Sequence, residues 1–327
     1  MEDSLITGTI SSYTNDRVTS IDQGAFAYAS KLQSVSFPKA TTIGSYAFYQ
    51  CNNLTSVNLP AATTISNNAF GNCTKLTLVS LPMATSIGAN AFYNCTSLTS
   101  VSLPMATTTG GFAFGNCANL TTVSLPMATS IGGSTFNGCI RLTTVSLPAA
   151  TSIGGNAFYN CTSLTLVSLP VATTIGDNAF YNCTSLTSVS LPMATSISGN
   201  AFSYCTSLTS VSLPMATSIG TCMFGNCYNL ATVSLPMATS IGKSAFYRCY
   251  NLKSLYLTGS SVCNLTNSNA FSSTPIGGYS TSAGTYGSIY VPESLLTSYQ
   301  TATNWTYFSS RFVGILPPTQ HGGGSND

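Results

Sequence analysis

The chain has 327 residues, 44% of them hydrophobic and 5% charged, with a formal net charge of +2. Nucleic-acid binding needs a basic stripe to neutralise phosphates, yet between Lys75 and Lys243 the only charged side chains are Arg141 and Asp177. Catalysis fails on inventory. The one histidine is His321, near the C-terminus, and of the carboxylates Glu2, Asp3, Asp16, Asp22, Asp177, Glu293 and Asp327 all but Asp177 lie near the chain ends, so no Ser–His–Asp set or acid–base pair can be assembled.

The opening segment, MEDSLITGTI, has neither the basic start nor the apolar run of a signal peptide. No stretch approaches the ~20 apolar residues of a membrane span. The expectation is a chain without membrane insertion, either a trimmed piece of an exported protein or a virion component. Residues 1–24 fit the pattern that follows only in Val18–Ile21 and read as an N-terminal cap.

From Phe26 onward a 22-residue unit repeats without insertion. Phenylalanine recurs at 26, 48, 70, 92, 114, 136, 158, 180, 202, 224 and 246, and cysteine at 51, 73, 95, 117, 139, 161, 183, 205, 227 and 249. A constant period of this length is the signature of stacked units, so residues 25–257 read as a repeat solenoid. Residues 81–103 show the unit in nearly pure form. Val101 and Leu103 alternate with Ser102, the period of a half-buried strand, and Pro104 ends it because proline cannot donate to a ladder. Ile87 marks a second short extended segment and Gly88 a corner. Ala91, Phe92 and Cys95 share one face of a single helical turn. Stacking at roughly 4.8 Å per step, about 11 rungs give a parallel β rod of roughly 50 Å.

After Leu257 the register is lost, since Phe271 follows Phe246 by 25 residues. Residues 258–316 read as a C-terminal cap of loop (272–288), closing strand (Ile289–Val291) and helix. The helix opens at Pro292 and Glu293 and carries the apolar face Leu295, Tyr299, Ala302, Trp305, Phe308 and Phe312. Residues 317–327, ending in HGGGSND, read as a flexible tail or linker.

The unit LxxVxLPxATxIGxxAFxxCxx, carried by Ile87-Gly88, Ala91-Phe92, Cys95 and Leu98-Val101-Leu103 and their copies from about Ile21 to Leu257, resembles the BspA-like (Treponema-type) leucine-rich repeats. The segment from Ile289 through Tyr299 to Asn304-Trp305 is similar to the closing segment of many such proteins. The resemblance implies a curved parallel leucine-rich-repeat rod, usually on bacterial or protist surfaces and often engaged in adhesion to host proteins or other cells. The chain departs from the family in a slightly shorter unit and in far fewer surface charges.

No Cys pair has zinc-type C-x2-C spacing, and the ten periodic cysteines read as small buried hydrophobes. Cys222 stands in the column of Asn90 and is expected to be partly exposed. Cys263 falls in the irregular region. Asn94-Cys95-Thr96 and Asn182-Cys183-Thr184 match the N-glycosylation pattern as a by-product of the repeat. No cofactor or metal is expected. The candidate binding surface is a neutral hydroxyl lattice: Thr99, Thr121, Thr143, Thr165 and Thr187 in one column, Ser102, Ser124, Ser146, Ser168 and Ser190 in another, with Tyr93, Tyr159 and Tyr181 one residue after the phenylalanines. Such hydroxyls also serve simply to keep a sheet face wet and β-prone. The leading expectation is a non-enzymatic adhesion or recognition surface for a protein, cell-surface or glycan partner, extracellular or on a virion. The alternatives are a structural spacer or self-assembling filament module, with self-association, and an ice- or crystal-binding face.

Overall fold

The computed structural model describes residues 10–279 and 286–316. Two strands per rung build two walls of a parallel solenoid. In the rung around residue 100, the first strand is Ser100–Ser102, and its Val101 pairs in register with Val79 on one side and Val123 on the other. The second strand is two residues long, as at Ser86–Ile87 and Thr108–Thr109. The first strands form a 14-stranded ladder running from Ser12–Thr14 to Phe312–Ile315. This is more than the expected 11 rungs because Ser12–Thr14, Ser288–Pro292 and Phe312–Ile315 extend the ladder at its two ends.

The third wall differs from the sequence expectation. Residues 91–95 form consecutive tight turns rather than a helical turn. Asn90 and Asn94 adopt φ of 55° and 59°, a left-handed conformation that asparagine tolerates better than bulkier residues and that interrupts any helix. The turns close locally, Ala91 N to Gly88 O and Cys95 N to Phe92 O, while Phe92 N and Asn94 N reach the next rung at Ala113 O and Gly115 O (2.8 Å each). All three walls are thus bonded between rungs. Gly88 turns the corner where an added Cβ would lie 2.7 Å from the backbone N of Asn67 in the rung below.

Between the walls, each apolar position of the repeat becomes a buried column: Phe, Ala, Cys, Leu, Val and Ile are sealed from solvent over nearly every rung. The phenylalanine rings stack face to face, 5.1 Å apart from Phe48 to Phe70 and 5.3 Å from Phe92 to Phe114. Offset aromatic stacking adds about 0.5–1.5 kcal/mol per pair beyond burial. In a horseshoe-shaped solenoid of this kind the strand ladder lines the inner side, and the outward surface of the long ladder is accordingly the concave face.

The regularity fails at one step. The second-strand wall splits into a 9-stranded and a 3-stranded ladder between Ser196–Ile197 and Ser218–Ile219. Here Met223, fully buried, occupies the column filled by Ala201 and Ala245 in the adjoining rungs, and the flanking ring separations open to 5.7 and 5.6 Å. Thr135 replaces the same alanine, and Phe114–Phe136 is likewise 5.6 Å. Extra volume in a close-packed core pushes the rungs apart.

The C-terminal cap carries the expected helix, but a shorter one. A 3-10 turn (Glu293–Leu295), a short α-helix (Leu296–Thr301) and a second 3-10 segment (Trp305–Arg311) follow each other, and Phe312 belongs to the last strand. The break has a backbone cause: Ala302 is extended and Asn304 is left-handed at φ 63°. Tyr299 and Trp305 are nevertheless buried over the final rung. The indole Nε1 donates to Cys263 O (2.7 Å), the Cys263 N–H donates to Tyr299 Oη (2.9 Å), and Asn304 Nδ2 donates to Leu265 O (2.7 Å). The cap thereby occupies backbone groups of the last irregular rung.

Two outcomes follow for measurement. Trp305→Ala is expected to cost about 3–5 kcal/mol in denaturant unfolding, as for other large buried aromatics, and a change under 1 kcal/mol would show that the cap does not hold the last rung. Met223→Ala is expected to close the split step, slowing hydrogen exchange at Gly220 N–H; unchanged exchange would assign the split to another residue of that rung.

Candidate functional site

The threonine column precedes the long-ladder strands. Each Thr Oγ1 from Thr77 to Thr209 donates to the backbone oxygen of the threonine one rung earlier, at 3.1–3.5 Å for most pairs and 3.0 Å from Thr121 to Thr99. The same carbonyl also accepts the backbone N–H, as in Thr121 N to Thr99 O at 2.9 Å. Thr99, Thr121, Thr143, Thr165 and Thr187 therefore spend their donors on holding the stack, which leaves the hydroxyl oxygen and methyl for any partner. The serine column, Ser102, Ser124, Ser146, Ser168 and Ser190, ends the strands and is exposed on the concave face. The threonine and serine columns flank the same strand in the rungs from Thr77 and Ser80 to Thr209 and Ser212.

The tyrosines do not join them. Phe26 packs 5.7 Å from Tyr13, which occupies the valine column of the first strand, so the phenylalanine column lies against the inner side of the long ladder. Tyr93, Tyr159 and Tyr181, one residue further along, are half-buried on the turn wall across the core. Tyr159 and Tyr181 stack at 4.9 Å, and Tyr93 packs edge-on to Phe112. The two sets therefore lie on different walls of the rod.

Sequence reasoning missed two sets of residues. Leu78 and Leu166 take the place of Ser100 on the concave face and are 58% and 52% exposed. Leu78, with Val79, Ser80, Ser100, Val101, Ser102 and Thr122–Ser124, lines a shallow groove of about 380 Å³. The other set is the methionine that follows six of the repeat prolines, exposed at Met83, Met105, Met127, Met193, Met215 and Met237. The Pro-Met dipeptides were visible in the sequence, but the repeat pattern alone does not tell an outward turn position from a core one.

The cysteines line the core. Each of the ten periodic thiols donates to the carbonyl of a phenylalanine one rung back, from Cys51 Sγ to Phe26 O (3.0 Å) through Cys249 Sγ to Phe224 O (3.0 Å). Burial pushes the Cys117 and Cys205 thiols up to about 12, and burial with neighbouring thiols takes Cys139, Cys161 and Cys183 well above the ordinary range. These are not nucleophiles. Cys222, half-exposed and at φ 51°, sits in the left-handed asparagine column, whereas Cys263 is buried beneath the cap. In the sequons, Asn94 Nδ2 donates to Asn72 Oδ1 (2.8 Å) and Asn182 Nδ2 to Asn160 Oδ1 (2.9 Å), so those amides are engaged in an asparagine ladder.

The family model for the BspA type leucine rich repeat region matches residues 7–110, 63–185 and 173–285. The chain belongs to the BspA-type leucine-rich repeat family. Among solved structures, a leucine-rich repeat protein from Bacteroides ovatus is 23% identical, with 91% of this chain and 88% of that one covered and a TM-score of 0.59. The leucine-rich repeat protein of T. pallidum is 32% identical over 47% of this chain and 77% of its own, with a TM-score of 0.44. A leucine-rich cell surface protein from Faecalibacterium prausnitzii is 23% identical, covering 94% and 93%, with a TM-score of 0.47. Among curated proteins none matches. Among the described residues of this BspA-type chain, no helix is long and apolar enough to cross a membrane.

The thiol ladder sets a pH dependence. A thiol with an ordinary value near 9.0 unfolded and about 12 folded keeps its proton in the fold after the unfolded chain has lost its own. Its stabilising share is complete below pH 9 and is lost as pH rises from 9 toward 12. Unfolding free energy is expected to be level from pH 7 to 8 and to fall steeply above about 9, and a thiol reagent at pH 8 is expected to modify Cys222 alone without denaturant. Rapid labelling of the periodic cysteines in the native protein would contradict the buried ladder.

Proposed function

We propose that this protein is a non-enzymatic recognition module whose concave sheet face engages a protein or glycan partner outside the cell or on a particle surface. The observation that carries the reading is the face itself. It is a continuous parallel ladder whose outward positions are an exposed serine column and small hydroxyl residues, with Leu78 and Leu166 standing out as apolar contacts. Hydroxyls offer donors and acceptors without the desolvation cost of charge. The exposed leucines supply the apolar contact that binding patches need. Membership in the BspA-type family supports a surface location, which is where such repeats usually work. A rigid scaffold bonded on three walls also suits binding, because little conformational entropy is lost when the partner arrives.

The test replaces Ser102, Ser124, Ser146 and Ser168 together by lysine and measures saturable binding of labelled protein to intact cells and to a glycan array. Affinity is expected to fall by at least about tenfold, as when the central contacts of an interface are disrupted, with the circular dichroism spectrum unchanged. Undiminished binding by the folded variant would place the site on another face.

A further inference from the structure

We propose that the turn between the two strands of each rung is a second binding surface, a ridge that takes a neutral linear polysaccharide laid along the rod axis. The ridge is the column Met83, Met105, Met127, Val171, Met193, Met215 and Met237, each 40–52% exposed, with Ala61 and Ala149 completing it. Of the preceding prolines, Pro82, Pro104, Pro148, Pro170 and Pro192 are exposed beside it, and Pro126, Pro214 and Pro236 are half-buried. Nine rungs make eight steps of about 4.8 Å, an apolar strip about 38 Å long. Exposed methionine at this density is unusual for a surface and marks an interaction site.

The dimensions and chemistry select the occupant. One Pro-Met pair wide, the strip presents on the order of 400 Å², half of the ~800 Å² each partner buries in a stable protein pair. A second copy of this chain is therefore a poor fit. No charged residue interrupts the column from Ala61 to Met237, and none occurs in the threonine column beside it from Thr41 to Thr239, so an ionic polymer has no counter-charge to meet. The threonine column supplies polar contact of one kind. Its hydroxyls donate to the previous rung's carbonyl, 2.9 Å for Thr239 to Thr217 and 3.1 Å for Thr151 to Thr129, so toward a ligand they act as acceptors. A pyranose offers the complement, an apolar C–H face and hydroxyl edges that donate. Because every rung repeats the same contact, an aperiodic partner gains no unique register, whereas a polymer of identical sugars gains avidity rung by rung. Ice fits less well. Methionine is flexible, and Ala149 and Val171 interrupt the column, so the ridge is not a flat, rigid lattice.

This inference goes beyond the concave-face reading and stands or falls separately from it. The experiment is co-sedimentation with microcrystalline cellulose and with chitin. The variant M105K/M127K/M193K/M215K keeps the fold intact by design, since Lys39 occupies the same column after Pro38. The parent is expected to bind at least one of the two polymers saturably, and the ridge variant to bind it at least about tenfold more weakly. The concave-face serine-to-lysine variant should bind like the parent. A second arm oxidises the parent with hydrogen peroxide, each thioether sulfur taking one oxygen as the peroxide is reduced to water, and then restores it with methionine sulfoxide reductases. Binding should fall and return. The proposal is overturned if the parent sediments with neither polymer or if the ridge variant binds undiminished. It is also overturned if the ridge substitutions abolish thermal hysteresis or a concentration-dependent dimer instead.

Discussion

Each rung of this solenoid is completed by its neighbours. Among the described residues no rung contains a hydrogen-bonded pair of its own two strands; the long strand, the short strand and the turn segment all bond to the rungs before and after. A polar backbone buried without a partner is costly, so the step must bring equivalent groups opposite one another every time. That is why the 22-residue period admits no insertion between Phe26 and Phe246. It also explains the side-chain columns. Once backbones are in register, identical residues must stack, and the residue types that persist are those that tolerate their own copy about 4.8 Å away: flat phenylalanine rings, small thiols that donate back one rung, and threonines that do the same on the outside.

The same dependence defines the weak points. A rung whose neighbour is displaced loses strand pairing in one wall, as at the Met223 step, where Thr217 alone still bonds back to Thr195 O, and a rung with no neighbour exposes all three walls. The C-terminal cap meets the second problem by contributing two further strands to the long ladder and by laying Tyr299 and Trp305 over the last rung.

Period alone made the core legible: Ile87, Phe92, Cys95, Leu98, Val101 and Leu103 are all buried as their spacing requires. The turn wall was misread because Ala91, Phe92 and Cys95 have a spacing that a helical turn and a chain of tight turns share. The distinguishing signal was the pair of asparagines flanking them, residues suited to a left-handed backbone. The length of the cap helix was misread for a related reason. Leu295 through Phe312 has helical apolar spacing, yet the chain turns at Ala302–Asn304 and delivers Phe312 to a strand, a partner supplied only by the tertiary fold. On the surface, the exposure of the serine and threonine columns was legible, but the commitment of the threonine donors was not. Their acceptor is a carbonyl 22 residues earlier, and only the stack brings it within reach.

A surface built this way trades specificity for repetition. Identical rungs present identical contacts, so strength grows with the number of rungs engaged while register stays undefined. In the proposed binding role, specificity would reside where the repeat is broken outward: Leu78 and Leu166 among serines and threonines, Val171 and Ala149 among methionines, and the stacked Tyr256–Tyr290 pair at the end of the serine column, with centroids 4.6 Å apart. Charge would be the usual means of fixing register and rejecting wrong partners, and this chain has almost none along its rod. Its discrimination has to come from shape and from hydroxyl geometry, both of which the bonded walls hold rigid. The near-perfect repeat is thus the scaffold, and under the proposed function its few outward irregularities are where one partner would be told from another.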